Sequence, residues 1–239
     1  QGSRSRQISR QKLYGFLNWA VQRGHLKLIY SPPATLPEVL KSKRVGYAIS
    51  DAEILRLLEG TPDPRWQFAI QLCAVYGLRP EELRWLRIKK GAKGSELWTI
   101  YQKSMGGRKR DKTEPRRLLP LLVRDLDGSS IDWKLQAWLE IGEELPPLQS
   151  DGDGAQALNN YLRLREVWRS MKAEALNSGE QLTTYSFRHR YAKASHAANL
   201  PDANIAEAMG HTIEVHLGSY AWFKPDATAD LYEQVNAVK

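Results

Sequence analysis

The sequence contains very little cysteine and no long apolar run. Its 239 residues include one cysteine, Cys73, which lies within an apolar helical pattern. A single cysteine excludes an intramolecular disulfide framework and a cysteine-based metal site, so we expect Cys73 to be a small buried residue. No stretch approaches the roughly 20 apolar residues of a membrane-spanning helix, and no signal-peptide pattern is present. These absences predict a protein of the reducing cytoplasm without membrane contact.

Histidine is also sparse, and its positions do not indicate a metal site. The sequence has five histidines, of which His25, His196 and His216 have the pattern of ordinary helix or surface residues. None of them is spaced with carboxylates as metal ligands usually are. We therefore expect no metal ion and no other cofactor.

The positive charge is concentrated in two segments. Residues 1–44 contain nine lysines and arginines against one acid, which accounts for the whole formal excess of +8. Residues 103–117 contain seven basic residues against two acids. Two basic segments separated by a neutral body favour a polyanion bound from two sides over a merely well-solvated surface. The residues expected to bind nucleic acid are Arg10, Lys12, Lys43, Arg44, Lys103, Arg108, Lys109 and Arg110.

The first segment has the pattern of a single amphipathic helix followed by a linker. Apolar residues recur at helical spacing from Leu13 to Val21, and Gly24 ends the pattern. Three prolines over residues 30–44 indicate an extended linker. One helix cannot bury its own apolar stripe, so we expect this piece to be the end of another domain.

The larger segment predicts mainly helices with a small antiparallel sheet. Ser50 and Glu53 have the spacing of a capping box, and the pair Asp63-Pro64 begins a helix that ends at Gly77. Short β-type patterns lie over residues 85–89, 97–102 and 116–119. Helical patterns follow over residues 133–139 and, as one longer helix, over residues 158–168. The predicted fold class is α+β, mainly α.

Residues 183–199 begin the stretch best suited to chemistry. Thr183 or Thr184 is the expected N-cap of a helix whose buried side includes Phe187 and Tyr191. Tyr185, Arg188 and Ala192 share a different face of the same helix, because residues three or four apart on a helix are neighbours.

A second short helix is expected to end at Gly210, with His211 directly after it and Tyr220 nine residues later. Arginine and histidine donate hydrogen bonds to phosphate oxygens, and a tyrosine hydroxyl can attack phosphorus and hold it as an ester. These three residue types on consecutive helices predict phosphate chemistry without a metal ion.

Arg79 could supply a second arginine. It precedes Pro80, which suits the first turn of a helix, and a helix N-terminus beside an arginine is a favourable phosphate site. Taken alone, Arg79 is better explained as a surface arginine paired with Glu82.

The order of these residues resembles the tyrosine recombinase (phage integrase) family. The segment GLRPEEL, the pair Arg188-His189, the pair Gly210-His211 and Tyr220 occur in the order and spacing of that family's motifs. The sequence FLNWAVQRGHLK is similar to the end of an integrase core-binding domain. The resemblance therefore implies the last helix of a truncated core-binding domain plus a basic linker over residues 1–45, and a catalytic domain over residues 46–239.

The resemblance implies DNA strand exchange through a 3′-phosphotyrosyl intermediate, with no cofactor. The implied catalytic residues are Arg79, Lys112, Tyr185, Arg188, His211 and Tyr220, supported by Glu82. Lys112 is the lysine eight residues before Pro120 in the strand-like KTEPRRLLPL, as in the family's hairpin, and Lys103 is the alternative general acid. His189 is expected to be structural.

The chain departs from the family at Tyr185, where the family usually has histidine. Tyrosine is a poor base at neutral pH because its reference pKa is about 10. A DNA-binding protein of the same fold without catalysis is therefore one alternative, and a type IB topoisomerase, which shares the chemistry, is another.

The segment after Tyr220 has a helix-like apolar pattern, with Asp226 as the expected N-cap. In this family such a tail commonly docks on a neighbouring protomer. The resemblance thus implies a homotetramer on DNA joined by the tail, and a monomer free in solution.

Overall fold

The structure is a computed structural model that describes residues 4–33, 45–92, 94–103, 112–148, 154–223 and 233. The chain divides into two compact units, residues 1–44 and 45–239. This division lies one residue before the expected boundary between the linker and the catalytic domain.

The first unit contains the predicted helix, α1 (Arg4–Gln22), followed by a 3₁₀ turn over Leu28–Tyr30. Gly24 adopts φ +74° just after α1, and the amides of His25 and Leu26 donate to the carbonyl of Ala20. Ala20 is buried, but the side chain of Phe16 is 57% exposed. The apolar stripe of this helix is thus largely uncovered.

The second unit is built mainly of helices. The helices are α2 (Asp51–Glu59), α3 (Pro64–Tyr76), α4 (Leu135–Glu140), α5 (Gly154–Arg163), α6 (Glu166–Asn177), α7 (Ser186–Ala197), α8 (Asp202–Met209) and α9 (Ile213–Tyr220). Two 3₁₀ helices cover Pro80–Trp85 and Ala221–Phe223. None of the helices in the described ranges is long and apolar enough to cross a membrane.

The strands are short and mostly antiparallel. They are β1 (Val45–Gly46), β2 (Leu86–Gly91), β3 (Gly94–Thr99), β4 (Arg116–Arg117), β5 (Val123–Arg124), β6 (Ser130–Ile131) and β7 (Glu180–Gln181). The order β2-β3-β4 forms the expected antiparallel sheet, with Thr99 opposite Arg116 and Trp98 opposite Arg117. β5 pairs with β6, and β1 adds a two-residue parallel pairing with β7. The predicted mainly α fold with a small antiparallel sheet is confirmed.

Local signals explain where α2 and α3 begin and end. The Ser50 hydroxyl accepts the Glu53 amide while the Glu53 carboxylate accepts the Ser50 amide, which is the predicted capping box. The Asp63 side chain caps α3, and Gly77 ends that helix in the left-handed region at φ +57°. A Cβ atom at Gly77 would lie 2.6 Å from Cγ of Tyr191, so glycine also permits α3 to approach α7.

The apolar core has two parts. The main cluster contains Cys73 and Phe187 and joins α2, α3, α5, α6 and α7. A smaller cluster joins α7, α8 and α9 and includes Tyr191, Met209 and Tyr220. Cys73 is buried as predicted, and burial raises the pKa of its thiol. The smaller cluster fixes the position of Tyr220, because its ring is part of the packing.

Two local predictions are wrong. The single helix predicted over residues 158–168 is two helices, because Arg165 has extended backbone angles (φ −84°, ψ 130°) between α5 and α6. The N-cap of α7 is Tyr185 rather than Thr183 or Thr184. The threonine pair forms a turn before the helix, in which the Tyr185 amide donates to Oγ1 of Thr183.

Arg190 connects α7 to α2 and to the segment before β5. Its Nε and Nη2 donate to the two Asp51 carboxylate oxygens at 2.7 and 3.0 Å, and Nη1 and Nη2 donate to the carbonyls of Leu121 and Leu122 at 2.8 Å. Each nitrogen of this buried guanidinium group therefore has a partner. Arg190 is a structural arginine.

We expect Arg190→Met to lower the free energy of unfolding by about 2–4 kcal/mol. The substitution leaves Asp51 and two carbonyls without their donor, and breaking one side of a buried charged network costs several kcal/mol. Chemical denaturation monitored by circular dichroism measures the change. A loss below about 0.5 kcal/mol would contradict this role.

Candidate active site

Arg79 and Glu82 form the first part of the site, at the start of the 3₁₀ helix Pro80–Trp85. Nη1 of Arg79 donates to the Glu82 carboxylate at 2.7 Å, and the Arg79 amide donates to its other oxygen at 2.8 Å. Nη2 of Arg79 donates to the carbonyl of Gly210 at 3.2 Å, across 131 residues of chain. Both side chains are buried, so Arg79 pairs with Glu82 in the interior and not on the surface, where the sequence alone had placed this pair.

Arg188 lies fully buried on α7. Nη1 donates to the Gly77 carbonyl at 2.8 Å, and Nη2 donates to the Met209 carbonyl. These carbonyls lie at the C-terminal ends of α3 and α8, where unpaired carbonyls and the helix dipole favour a cation. The charge of Arg188 also interacts with the side chain of Tyr220. Two helix ends and the expected nucleophile thus surround one guanidinium group.

His211 follows Gly210 in the turn between α8 and α9. Gly210 has φ +66°, the left-handed value expected for a glycine that ends a helix. Nδ1 of His211 lies 3.4 Å from the carbonyl of Thr212, and the ring stacks on Tyr220 at a centroid distance of 5.6 Å and 11° between planes. The predicted order Gly-His-tyrosine therefore places His211 directly against Tyr220.

Lys112 lines a cavity of about 780 Å³ beside these residues. The same cavity is lined by Arg116, Gly210 and His211. Lys103 is exposed, and its backbone amide donates to Oγ1 of Thr113. It is not among the described residues that line the cavity. This geometry favours Lys112 over Lys103 as the lysine of the site.

The remaining predicted residues lie further out. Tyr185 is 38% exposed at the start of α7. Burial raises the pKa of the nearby Tyr101, and Tyr185 adds to this rise whereas Arg79 opposes it. Among the residues expected to bind DNA, Lys12 and Lys103 are exposed and Arg10 is half-buried. The others, Lys43, Arg44, Arg108, Lys109 and Arg110, lie outside the described residues, as does Asp226 in the tail.

Sequence reasoning missed Arg116, which it treated only as part of a basic strand. Arg116 is 8% exposed, and its Nη2 donates to the Glu82 carboxylate at 2.7 Å. Arg117, the next residue, points outward and pairs with Glu96 at 3.0 Å. Alternation along β4 would have predicted one arginine inside and one outside, but not which.

The interpretation of His196 and His216 as ordinary helix or surface residues is wrong. Both are buried, and their Nε2 atoms lie 3.1 Å apart. Nδ1 of His196 also lies 3.5 Å from the Asp202 carboxylate. A hydrogen bond from one imidazole to the other accounts for the close approach. The rings of His216 and Tyr220 stack at 5.3 Å, so the histidine pair packs against Tyr220.

The site carries more positive than negative charge. Burial raises the pKa of Glu82, but the guanidinium groups of Arg116, Arg188 and Arg79 lower it further, so Glu82 is ionised. Burial lowers the pKa of Arg116 to about 10 and also lowers that of Arg188, yet both remain protonated at neutral pH. Three arginines thus surround one carboxylate, which leaves an excess that favours an anion.

The histidines of the site are neutral at physiological pH. Burial and the nearby Arg188 charge lower the pKa of His211 to about 3 and that of His189 to about 4. A neutral His211 whose Nδ1–H faces the Thr212 carbonyl has its lone pair on Nε2. His211 therefore carries no charge in this state, and uptake of a proton at Nε2 would convert it to a cation.

Stability should fall as the pH decreases from about 6.5 toward 4. In the unfolded chain both histidines bind protons below about pH 6.5, whereas the folded chain binds them only near pH 4 for His189 and pH 3 for His211. The unfolded state thus gains protons first and is favoured. Thermal unfolding from pH 8 to 4.5 measures the effect. His189→Gln should show a shallower decrease, and an unchanged slope would contradict the assignment.

The chain is similar to solved structures of DNA recombinases and integrases, although no family profile and no curated protein match its sequence. The Tn1549 transposon integrase in complex with a circular intermediate DNA has a TM-score of 0.50 at 12% identity, over 100% of this chain and 80% of that one. Lambda integrase, solved as a dimer bound to a core site, has a TM-score of 0.48 at 14% identity, over 92% and 73%. XerA recombinase has a TM-score of 0.42 at 17% identity, over 92% and 72%.

The likeness to the Tn1549 integrase establishes the fold. The chain has the mostly helical fold, with small antiparallel sheets, of tyrosine recombinase catalytic domains. The resemblance indicated by the sequence motifs is thereby confirmed at the level of the fold. At 12% identity the comparison does not carry an activity over, so the function must be argued from the site itself.

Proposed function

We propose that the chain is a site-specific DNA recombinase that cuts and rejoins DNA through a 3′-phosphotyrosyl intermediate. The observation that carries the proposal is the convergence of Arg79, Arg188, His211 and Tyr220 from three distant parts of the chain. Arg79 and Arg188 contact the turn that carries His211, and His211 stacks on Tyr220. A tyrosine beside a buried arginine is suited to attack a phosphate that the arginine binds.

In the first step, the Tyr220 hydroxyl oxygen attacks the scissile phosphorus and forms a P–O bond, while the bond from phosphorus to the 5′ oxygen breaks. Arg79 and Arg188 stabilise the negative charge that develops on the non-bridging oxygens. Lys112 donates a proton to the departing 5′ oxygen, and neutral His211 assists in removing the tyrosine proton. A 5′-hydroxyl from another strand then attacks the phosphotyrosyl ester and releases Tyr220.

This reaction needs no nucleotide cofactor, because the phosphotyrosyl ester retains the energy of the phosphodiester bond. The three buried arginines supply the positive charge that other phosphoryl-transfer enzymes obtain from metal ions. Tyr185, in the usual histidine position, is half-exposed and has a hydroxyl group that can donate or accept a hydrogen bond.

The proposed substrate is double-stranded DNA, bound by the basic residues of both segments in the cytoplasm. Exposed Lys12 and Lys103 are suited to backbone phosphates, which set the affinity and its salt dependence without reading sequence. We further propose assembly into a tetramer on DNA through the segment after Phe223. Multi-angle light scattering with and without a bound site duplex, on the full chain and on a chain ending at Phe223, would test this assembly.

The proposed reaction is tested with a nicked suicide duplex. A binding site is first selected from a pool of random duplexes, and a nick is then placed close to the scissile phosphate so that the short released strand diffuses away. The expected result is a labelled strand that migrates slowly on a denaturing gel and is restored by protease.

Each alternative function predicts a different result. Tight binding without any covalent adduct would identify a DNA-binding protein that has lost catalysis. Relaxation of supercoiled plasmid without preference for the selected site would instead identify topoisomerase-like activity. Only a site-dependent adduct that religates to a second duplex supports recombination.

A further inference from the structure

We propose that Arg116 forms an anion-binding subsite beside Gly210 and His211, in which its unpartnered guanidinium N–H groups take a phosphate oxygen. Nothing in the recombinase motifs of the sequence indicates this residue. The inference rests on the proposed function for the identity of the phosphate, a DNA phosphodiester, but the subsite itself follows from the packing and charge around Arg116.

The hydrogen bonds of Arg116 are incomplete. Nη2 donates to Glu82 at 2.7 Å, but Nε and Nη1 are buried without a hydrogen-bond partner among the described residues. An unpaired buried donor costs about 1–3 kcal/mol, and more when it is charged, so native proteins rarely retain two on one side chain. A missing acceptor is the simplest explanation.

The other buried arginines show how this protein normally satisfies such groups. Arg190 has a partner for Nε, Nη1 and Nη2, supplied by Asp51 and backbone carbonyls. Arg188 uses both Nη1 and Nη2 on helix-terminal carbonyls. Arg116 differs from both because it lines the cavity that also contains Lys112 and His211. The incomplete bonding thus occurs where an external ligand could enter.

A second unpartnered group lies in the same cavity wall. Nε2 of His211 is also buried without a hydrogen-bond partner among the described residues. With the proton on Nδ1 this nitrogen is an acceptor, so it would bond to a phosphate oxygen only after His211 takes up a second proton and donates it.

The charge around Arg116 indicates an anion. Glu82 is shared by Arg79 at 2.7 Å and Arg116 at 2.7 Å, so one carboxylate partly neutralises two guanidinium groups. Arg188 adds a third positive charge nearby. On the cavity wall Lys112 and Arg117 are balanced by Glu114 and Glu207, so the positive excess lies at the arginine cluster. Since unneutralised buried charge is costly, a phosphate that brings a negative charge would be strongly favoured.

Gly210 connects this subsite to the turn that carries His211. A Cβ atom at Gly210 would lie 2.6 Å from Cδ and 2.7 Å from Nε of Arg116, so only glycine allows the arginine to lie against this turn. Because Nε and Nη1 are covered, binding an anion requires a rotamer change of Arg116 or a shift of the Gly210–His211 turn. Either movement would couple the arrival of the phosphate to the placement of His211 beside Tyr220.

The adjacent pair Arg116 and Arg117 allows a matched test. Arg116→Met removes the buried donors and keeps part of the apolar stem. Arg117→Met removes an equal charge from a residue that also borders the cavity but is exposed and paired with Glu96. Thermal unfolding is measured for the full chain against increasing orthophosphate and orthovanadate, with sodium chloride at matched ionic strength. We expect a saturable rise in Tm for wild type and Arg117→Met, and an apparent Kd at least tenfold weaker for Arg116→Met.

Two results would overturn the inference: no saturable response of the wild type to either anion, or a wild-type response in Arg116→Met. If Arg116→Met does not fold, as judged by circular dichroism, Arg116→Lys replaces it. That variant retains a cation for Glu82 but lacks the additional N–H groups, and the same tenfold loss is expected.

The suicide-duplex assay separates this inference from the proposed function. Loss of the anion response in Arg116→Met, together with no covalent adduct in the wild type, would support the subsite but contradict the proposed recombinase activity. If wild type and Arg116→Met formed the adduct equally fast and responded equally to the anions, the result would support the recombinase activity but contradict the subsite.

Discussion

Arg188→Lys is expected to lower the rate of DNA cleavage by about 10²–10³-fold while DNA affinity changes by less than about tenfold. Arg188 is fully buried, donates to the ends of two helices, and interacts electrostatically with Tyr220. Lysine keeps the charge but not the planar fork that can hold a helix carbonyl and a phosphate oxygen together. The loss should appear mainly in the transition state, where charge on the phosphate oxygens develops. Single-turnover cleavage of the suicide duplex measures the rate, and fluorescence anisotropy measures the affinity.

Arg190→Lys is the matched control for this experiment. Arg190 lies two residues further along the same helix, is also buried, and bonds only to Asp51 and backbone carbonyls. Its replacement should lower stability but leave the cleavage rate of the folded fraction within about threefold, because it contacts no residue of the proposed chemistry. Equal effects of the two substitutions on cleavage would show that Arg188 acts through the fold rather than on the phosphate.

The parts of the site that the sequence predicted are those encoded by local spacing. Gly210, His211 and Tyr220 lie within eleven consecutive residues, and a glycine that ends one helix fixes the direction of the next. Arg79 could be placed because Pro80 marks the start of a helical turn. In each case a backbone rule, rather than a long-range contact, determines the geometry, so the pattern can be read along the chain.

The parts that the sequence did not predict depend on contacts between distant elements. Arg116 and Arg117 are adjacent and chemically identical, and β4 is only two residues long, so their sequence cannot indicate which side chain faces Glu82. His196 and His216 meet because α7 and α9 pack together, and neither helix pattern alone reveals the 3.1 Å contact. The positions of buried charged and titratable side chains are therefore what the sequence predicts least well in this protein.

Tyr220→Phe is expected to abolish the covalent adduct completely while leaving the fold and DNA binding nearly unchanged. Phenylalanine keeps the ring that packs in the smaller apolar cluster and stacks on His211, so the position of the turn should be retained. It lacks the oxygen that attacks phosphorus, and no neighbouring group can replace a missing nucleophile in the same geometry. Loss of the buried hydroxyl group should lower stability by only about 1 kcal/mol.

Tyr191→Phe provides the control for removing a buried hydroxyl from the same cluster. The Tyr191 hydroxyl donates to the Leu119 carbonyl at 2.9 Å and has no proposed part in the chemistry, so adduct formation should persist. If Tyr220→Phe still formed the adduct, the nucleophile would have to be another tyrosine, and half-exposed Tyr185 would be the first to test. Adduct loss in Tyr185→Phe with retention in Tyr220→Phe would overturn the assignment. Loss only in Tyr220→Phe would show that the residue held by Arg188 and His211 is the one that attacks.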